Sequence, residues 1–121
     1  MLFFADSYAL IDFVKGAPAY KKYFVEHEII TTKLNLLELY YSAMAESGEE
    51  KAEEYFNLFL AKTTEISDET LKKAAKFRFE NKKRGISYID AIGYQISLER
   101  KIKFLTGDKE FKGLPNVEFV K

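Results

Sequence analysis

Asp6, Glu38, Asp90 and Asp108 are the residues of this 121-residue chain that could do chemistry together. Asp6 directly follows the apolar run Leu2-Phe3-Phe4-Ala5, and Asp108 follows a second such run, Ile102 to Leu105, across Thr106 and Gly107. Glu38 falls early in a helix that follows a strand, and Asp90 in the first turn of a later helix. In open parallel α/β sheets the carboxyl ends of strands are where ligands bind. Four carboxylates packed there would raise one another's pKa and oppose folding unless a cation joined them. Mg²⁺ takes a few carboxylates, several waters and phosphate oxygens. The chemistry of such a site is phosphodiester hydrolysis, with a water activated, the phosphate oriented and the leaving oxygen stabilised.

Each acid also has a purely structural reading. Asp6 and Asp108 stand where helix N-caps stand, Ser87-x-x-Asp90 has the spacing of a capping box, and Glu38 suits a solvated helix face. The set is more specific than its members, because three of the four fall at strand-to-helix turns or first helical turns.

Other chemistries are poorly supplied. The absence of Cys excludes disulfides and thiolate metal sites, and a single His (His27) leaves no usual zinc set. No nucleophile motif accompanies His27, which reads as a surface residue. Charge is balanced, 19 basic residues against 19 acidic, which argues against a strongly basic nucleic-acid arm and leaves room for a local basic rim. The opening Met-Leu-Phe-Phe-Ala lacks the basic and long apolar regions of a signal peptide. No apolar run approaches the roughly 20 residues of a membrane span, so a cytoplasmic location is expected.

The elements that must hold the acids alternate between strand and helix. Strands are expected at 2–5, 28–31, 102–105 and 117–120, with a weaker one at 63–66. Helices are expected after Ser7, closed by Gly16 and Pro18, then over about 19–25, from Thr31 or Thr32 to Ser47-Gly48, over 49–61, from Ser67 to Lys82-Lys83-Arg84, and from Ser87 onward. Leu37, Tyr40, Tyr41 and Met44 repeat at helical spacing, as do Ala52, Tyr55, Phe56, Phe59 and Leu60. Leu71, Ala74, Ala75 and Phe79 are expected inward, and Ile89, Ile92, Gly93 and Ile96 along one side of their helix. The whole reads as one domain, residues 1–121: a three-layer α/β/α arrangement on a mainly parallel sheet of about five strands.

With those residues in view, the chain resembles the PIN-domain ribonucleases of the VapC toxin type. Phe4-Ala5-Asp6-Ser7-Tyr8-Ala9-Leu10 is similar to their opening, Glu38 in Asn35-Leu36-Leu37-Glu38-Leu39 to their second acid, Asp90 in Ser87-Tyr88-Ile89-Asp90-Ala91-Ile92 to their third, and Leu105-Thr106-Gly107-Asp108-Lys109-Glu110-Phe111 to their closing motif. The resemblance spans essentially the whole chain, in order. It implies a five-stranded parallel sheet and an endoribonuclease dependent on Mg²⁺ or Mn²⁺. It also implies a homodimer held in check by a small antitoxin that inserts a segment near the active site. Asp6, Glu38, Asp90 and Asp108 would then be metal ligands, directly or through water, with Ser7 and Thr106 as supporting polar groups. Gly107 departs from the pattern, since Arg is common there and would offer a phosphate contact.

Lys33 and Lys109 flank the proposed site and are candidates for RNA phosphate contacts. Lys82-Lys83-Arg84 reads better as cations finishing a helix than as a phosphate rim. The aromatic pairs on helices suit core, antitoxin groove or dimer surface alike. Three rival functions remain: RNA processing without an antitoxin, a non-catalytic binding domain, and an acidic-pocket signalling module. The last lacks a strong third strand with its acceptor Asp and a Lys after the last strand.

Overall fold

The computed structural model describes residues 1–121. Its order is β1 (Leu2–Ala5), α1 (Ser7–Val14), α2 (Pro18–Glu26), β2 (Glu28–Ile30), α3 (Lys33–Ser47), α4 (Glu49–Phe59), α5 (Asp68–Glu80), α6 (Tyr88–Arg100), β3 (Lys103–Thr106) and β4 (Val117–Phe119). Single 3₁₀ turns occupy Leu60–Lys62, Lys82–Arg84 and Lys109–Phe111.

The sheet is wholly parallel, in the order β2-β1-β3-β4. Alternation along each strand sorts its residues between two cores. Phe3, Ala5, Ile29 and Leu105 face one side, where they pack with Ala9 and Leu10 of α1, Tyr20 and Tyr23 of α2, Leu36 and Leu39 of α3, and Phe59 of α4. Phe4 and Phe104 face the other, against Ala74 of α5, four residues of α6, Ile86 and Phe111. Register agrees with this, since Phe4 lies opposite Phe104 and Ala5 opposite Leu105. Burial on both faces is what lets β1 read as a continuous apolar run.

The expected α/β/α layers and parallel sheet are present, with four strands instead of five. The segment at 63–66 pairs with Thr31 through a single parallel bridge at Thr63, made by Thr31 N–H to the Lys62 carbonyl (3.1 Å) and Thr64 N–H to the Thr31 carbonyl (2.9 Å). Ile66 is its one large apolar side chain, too little to bury a strand.

Two helix faces differ from expectation. On α3 the inward residues are Leu36, Leu39 and Ala43, while Leu37 (60% exposed), Tyr41 (73%) and Met44 (43%) face out. On α5 the inward side is Thr70 and Ala74, with Phe77 half-buried, and Leu71, Ala75 and Phe79 are exposed. In both helices two apolar stripes lie about one residue apart, and periodicity alone gives no preference between them.

Candidate active site

Strand order places the acids. The chain leaves β1 toward β2, and β3 lies on β1's other side, so the crevice beyond the carboxyl ends of β1 and β3 is a topological switch point. Asp6 and Asp108 stand there. The ladder continues one step past β1, with Asp6 N–H donating to the Leu105 carbonyl at 3.2 Å.

Asp6 is buried, at 1% exposure. Its Oδ1 accepts from Ala9 N–H at 2.9 Å, which caps α1, and its Oδ2 accepts from the Thr106 hydroxyl. The helix cap expected of Asp6 is therefore present, and the other oxygen of the same carboxylate is held by Thr106. Thr106 Oγ1 also accepts from Asp108 N–H at 3.0 Å, so one hydroxyl ties the first acid to the fourth. Asp108 in turn caps the turn that follows, its Oδ1 accepting from Glu110 N–H at 3.0 Å. Burial pushes the Asp6 carboxyl well above the usual carboxylate range. The hydrogen bonds from Thr106 and Ala9 oppose that rise, and the charges of Asp90 and Asp108 add to it.

Asp90 lies in the first turn of α6, where the Ser87 hydroxyl caps the helix by accepting Asp90 N–H at 3.1 Å. Burial lifts its pKa to about 6, with the charges of Asp108 and Glu38 acting in the same direction. Glu38, on α3, accepts from the Ser7 hydroxyl of α1. Asp6 thus feels the charges of Asp90 and Asp108, and Asp90 those of Asp108 and Glu38, at the carboxyl end of the sheet. As the side chains stand, no three acidic or histidine groups lie close enough to hold an ion as a ready-made cage. The donor set is carboxylate and hydroxyl oxygen throughout, with like charges facing one another. That fits a hard divalent cation, which takes a few protein oxygens and completes its shell with water.

Asn35 and Thr32 were not among the sequence candidates, yet both are buried beside Ser7 (1% exposed each) and hydrogen-bonded to it in series. The spacing Thr32-x-x-Asn35 was legible as a helix cap; its extension to Ser7 was not. Lys33, the first residue of α3, and Lys109, next to Asp108, are exposed and form no ion pair, the one such pair being Lys51–Glu54. Arg84 donates to the Glu110 carbonyl at 3.0 Å and Lys82 lies 4.9 Å over the Phe79 ring, in keeping with a helix-terminal role for this basic run.

Gly107 has a physical reason of its own. A Cβ there would strike the Tyr8 ring and the Val120 carbonyl oxygen and stand 2.7 Å from the Tyr20 hydroxyl. Tyr20 donates to that same carbonyl at 2.5 Å, and Val120 N–H donates to the Thr106 carbonyl at 2.8 Å. The segment after β4 thus closes over the turn, and an Arg side chain has no room.

Fold and site together define a doubly wound α/β domain with an acidic cleft. The family model for the PIN domain matches residues 3–117, and the chain belongs to the PIN-domain family. Among solved structures it is similar to VapC20 of Mycobacterium tuberculosis, described as a Sarcin-Ricin loop cleaving toxin, with a TM-score of 0.81 and 16% identity over 100% of both chains. It is also similar to a toxin–antitoxin complex from Klebsiella pneumoniae (TM-score 0.75, 20% identity, 95% of this chain and 94% of that one). DNA-bound VapBC from Salmonella typhimurium is a third (0.75, 18%, 98% and 97%). At these identities the likeness is one of fold. No curated protein sequence matches the chain.

Proposed function

We propose that this chain is a metal-dependent endoribonuclease of the VapC type, the toxin of a toxin–antitoxin pair. The observation that carries the reading is Asp6: a buried carboxylate at the end of a central strand, facing the charges of Asp90 and Asp108. Burying a carboxylate against two others is costly, and a bound cation is the simplest offset. In the proposal Asp6, Glu38, Asp90 and Asp108 hold Mg²⁺ or Mn²⁺, directly or through water. When bound, such an ion supplies an activated water and charge stabilisation at the phosphate.

The protein's own part is to orient oxygen atoms. Thr106 fixes one face of Asp6 and the backbone of Asp108; Ser7 fixes Glu38. Lys33 and Lys109, exposed and without acidic partners, are assigned to RNA phosphates. The fold likeness to VapBC toxins supports an antitoxin partner, and the outward Leu37, Tyr41 and Met44 supply an apolar face suited to that partner or to a second copy in a homodimer. No helix is long and apolar enough to cross a membrane. A cytoplasmic protein acting as one domain over residues 1–121 agrees with that.

Incubation with structured RNA in Mg²⁺, Mn²⁺ or EDTA tests the reading. Cleavage is expected only with metal and is expected to fall at least about 100-fold in Asp6→Asn and Asp90→Asn. Equal cleavage by wild type and both variants, or cleavage undiminished in EDTA, would refute it.

A further inference from the structure

A one-way chain of hydrogen bonds runs through buried side chains to Glu38. The Thr32 hydroxyl donates to Asn35 Oδ1 (2.6 Å), Asn35 Nδ2 donates to Ser7 Oγ (3.0 Å), and the Ser7 hydroxyl donates to Glu38 Oε1. Thr32 and Asn35 are each 1% exposed, Ser7 is 7%, and no buried side-chain nitrogen or oxygen lacks a partner.

The direction of every link follows from donor and acceptor chemistry. The Glu38 carboxylate only accepts, so the single Ser7 proton turns to it and the Ser7 oxygen is left to accept. An amide oxygen only accepts and an amide nitrogen only donates. The NH₂ group must therefore face Ser7, and the amide oxygen turns to the Thr32 hydroxyl, whose own oxygen accepts Asn35 N–H at 3.3 Å as the α3 cap. The helix cap of α3, through Asn35, thus holds the Ser7 side chain of α1, and the Ser7 proton fixes an acid nearly two turns beyond that cap on α3.

We infer that Asn35 is a positioning residue for Glu38, acting through Ser7, and that Thr32 orients Asn35. This rests on Glu38 being one of the metal-holding acids. Groups that orient a ligand from behind are commonly worth about 10- to 100-fold in metal affinity. A merely space-filling Asn35 would not be tied to Ser7 in its effect; a relay is, because its side-chain hydrogen bonds reach Glu38 through that hydroxyl.

The test is a mutant cycle of Asn35→Ala, Ser7→Ala and the double variant. Folding is checked by circular dichroism, Mn²⁺ affinity by paramagnetic resonance of the free ion, and kcat and KM on structured RNA. Asn35→Ala is expected to weaken Mn²⁺ about 10- to 100-fold and to lower kcat with little change in KM. The double variant is expected to be no worse than Ser7→Ala alone. Thr32→Val, which keeps shape and removes the orienting hydroxyl, serves if Asn35→Ala does not fold, with the same direction expected. Wild-type Mn²⁺ affinity in the folded Asn35 or Thr32 variant would overturn the relay while leaving the nuclease reading intact, as would a double-variant loss equal to the product of the singles. A wild-type protein that neither binds Mn²⁺ nor cuts RNA would remove the nuclease reading and the relay with it.

Discussion

Gly93→Ala sets two opposing effects against each other, and the structure decides between them. Gly93 lies in α6, three residues after Asp90. Replacing a mid-helix Gly by Ala ordinarily gains about 1 kcal/mol. Here an added Cβ would stand 2.6 Å from Cε1 and 2.9 Å from Cζ of Phe4, and 3.2 Å from Cε1 of Phe104. Those rings are fully buried, stacked 5.8 Å apart, and carried by β1 and β3, which cannot part without losing ladder bonds. Overpacking of this kind costs about 1–3 kcal/mol, and two immobile rings put it toward the upper end. The net expectation is a loss of about 1–2 kcal/mol, read as a lower urea midpoint with an unchanged slope. Phe4→Leu removes both of the closest atoms, so Gly93→Ala should cost at least about 1 kcal/mol less in that background. A Gly93→Ala protein as stable as wild type, or more so, would refute the claim that aromatic contact sets the seat of α6.

Three further outcomes are expected. In metal-free protein the Asp90 pKa of about 6 stands above its ordinary 3.8, so the folded state holds that proton more tightly than the unfolded chain. The stability this contributes is fully present below about pH 4 and is lost as pH rises through about 6, on the order of 1–2 kcal/mol after allowing for partial exposure. In EDTA, Asp90→Asn should therefore gain on wild type between pH 5 and pH 7.5 in urea titrations; a constant difference would count against it. Gly107→Arg should destabilise by about 2 kcal/mol or more by forcing Val120 off the turn, and calorimetry showing no loss would contradict the packing. On α3, Leu39→Ala should cost about 2–5 kcal/mol and Leu37→Ala under about 1 kcal/mol; the reverse order would mean the helix faces the other way.

The elements that carry the acids were legible, and three of the four acids sit beside a strong local signal. An apolar run precedes Asp6 and Asp108, a helix cap precedes Asp90, and their order along the chain matches the resemblance. The faces of α3 and α5 were not legible. Leu36-Leu39-Ala43 and Leu37-Tyr40-Met44 are both apolar at helical spacing, and only packing against β1 and α1 chooses between them. Asn35 stayed hidden for another reason: its partner Ser7 is 28 residues away, and nothing in the local pattern joins them. Gly107 read as a missing contact because its neighbours, Tyr8, Tyr20 and Val120, meet it only in three dimensions.

Pairing β1 directly with β3 has a consequence for synthesis. Leu2–Ala5 leaves the ribosome long before the strand that lies against it, which ends at Thr106. A nascent chain halted after α6 already contains Asp6, Glu38 and Asp90 and still lacks the strand that brings Asp108 beside them. Such late, long-range parallel pairing is slow to form. The acidic cleft therefore cannot be complete before β3 is made, and no emerging fragment short of Asp108 carries it whole.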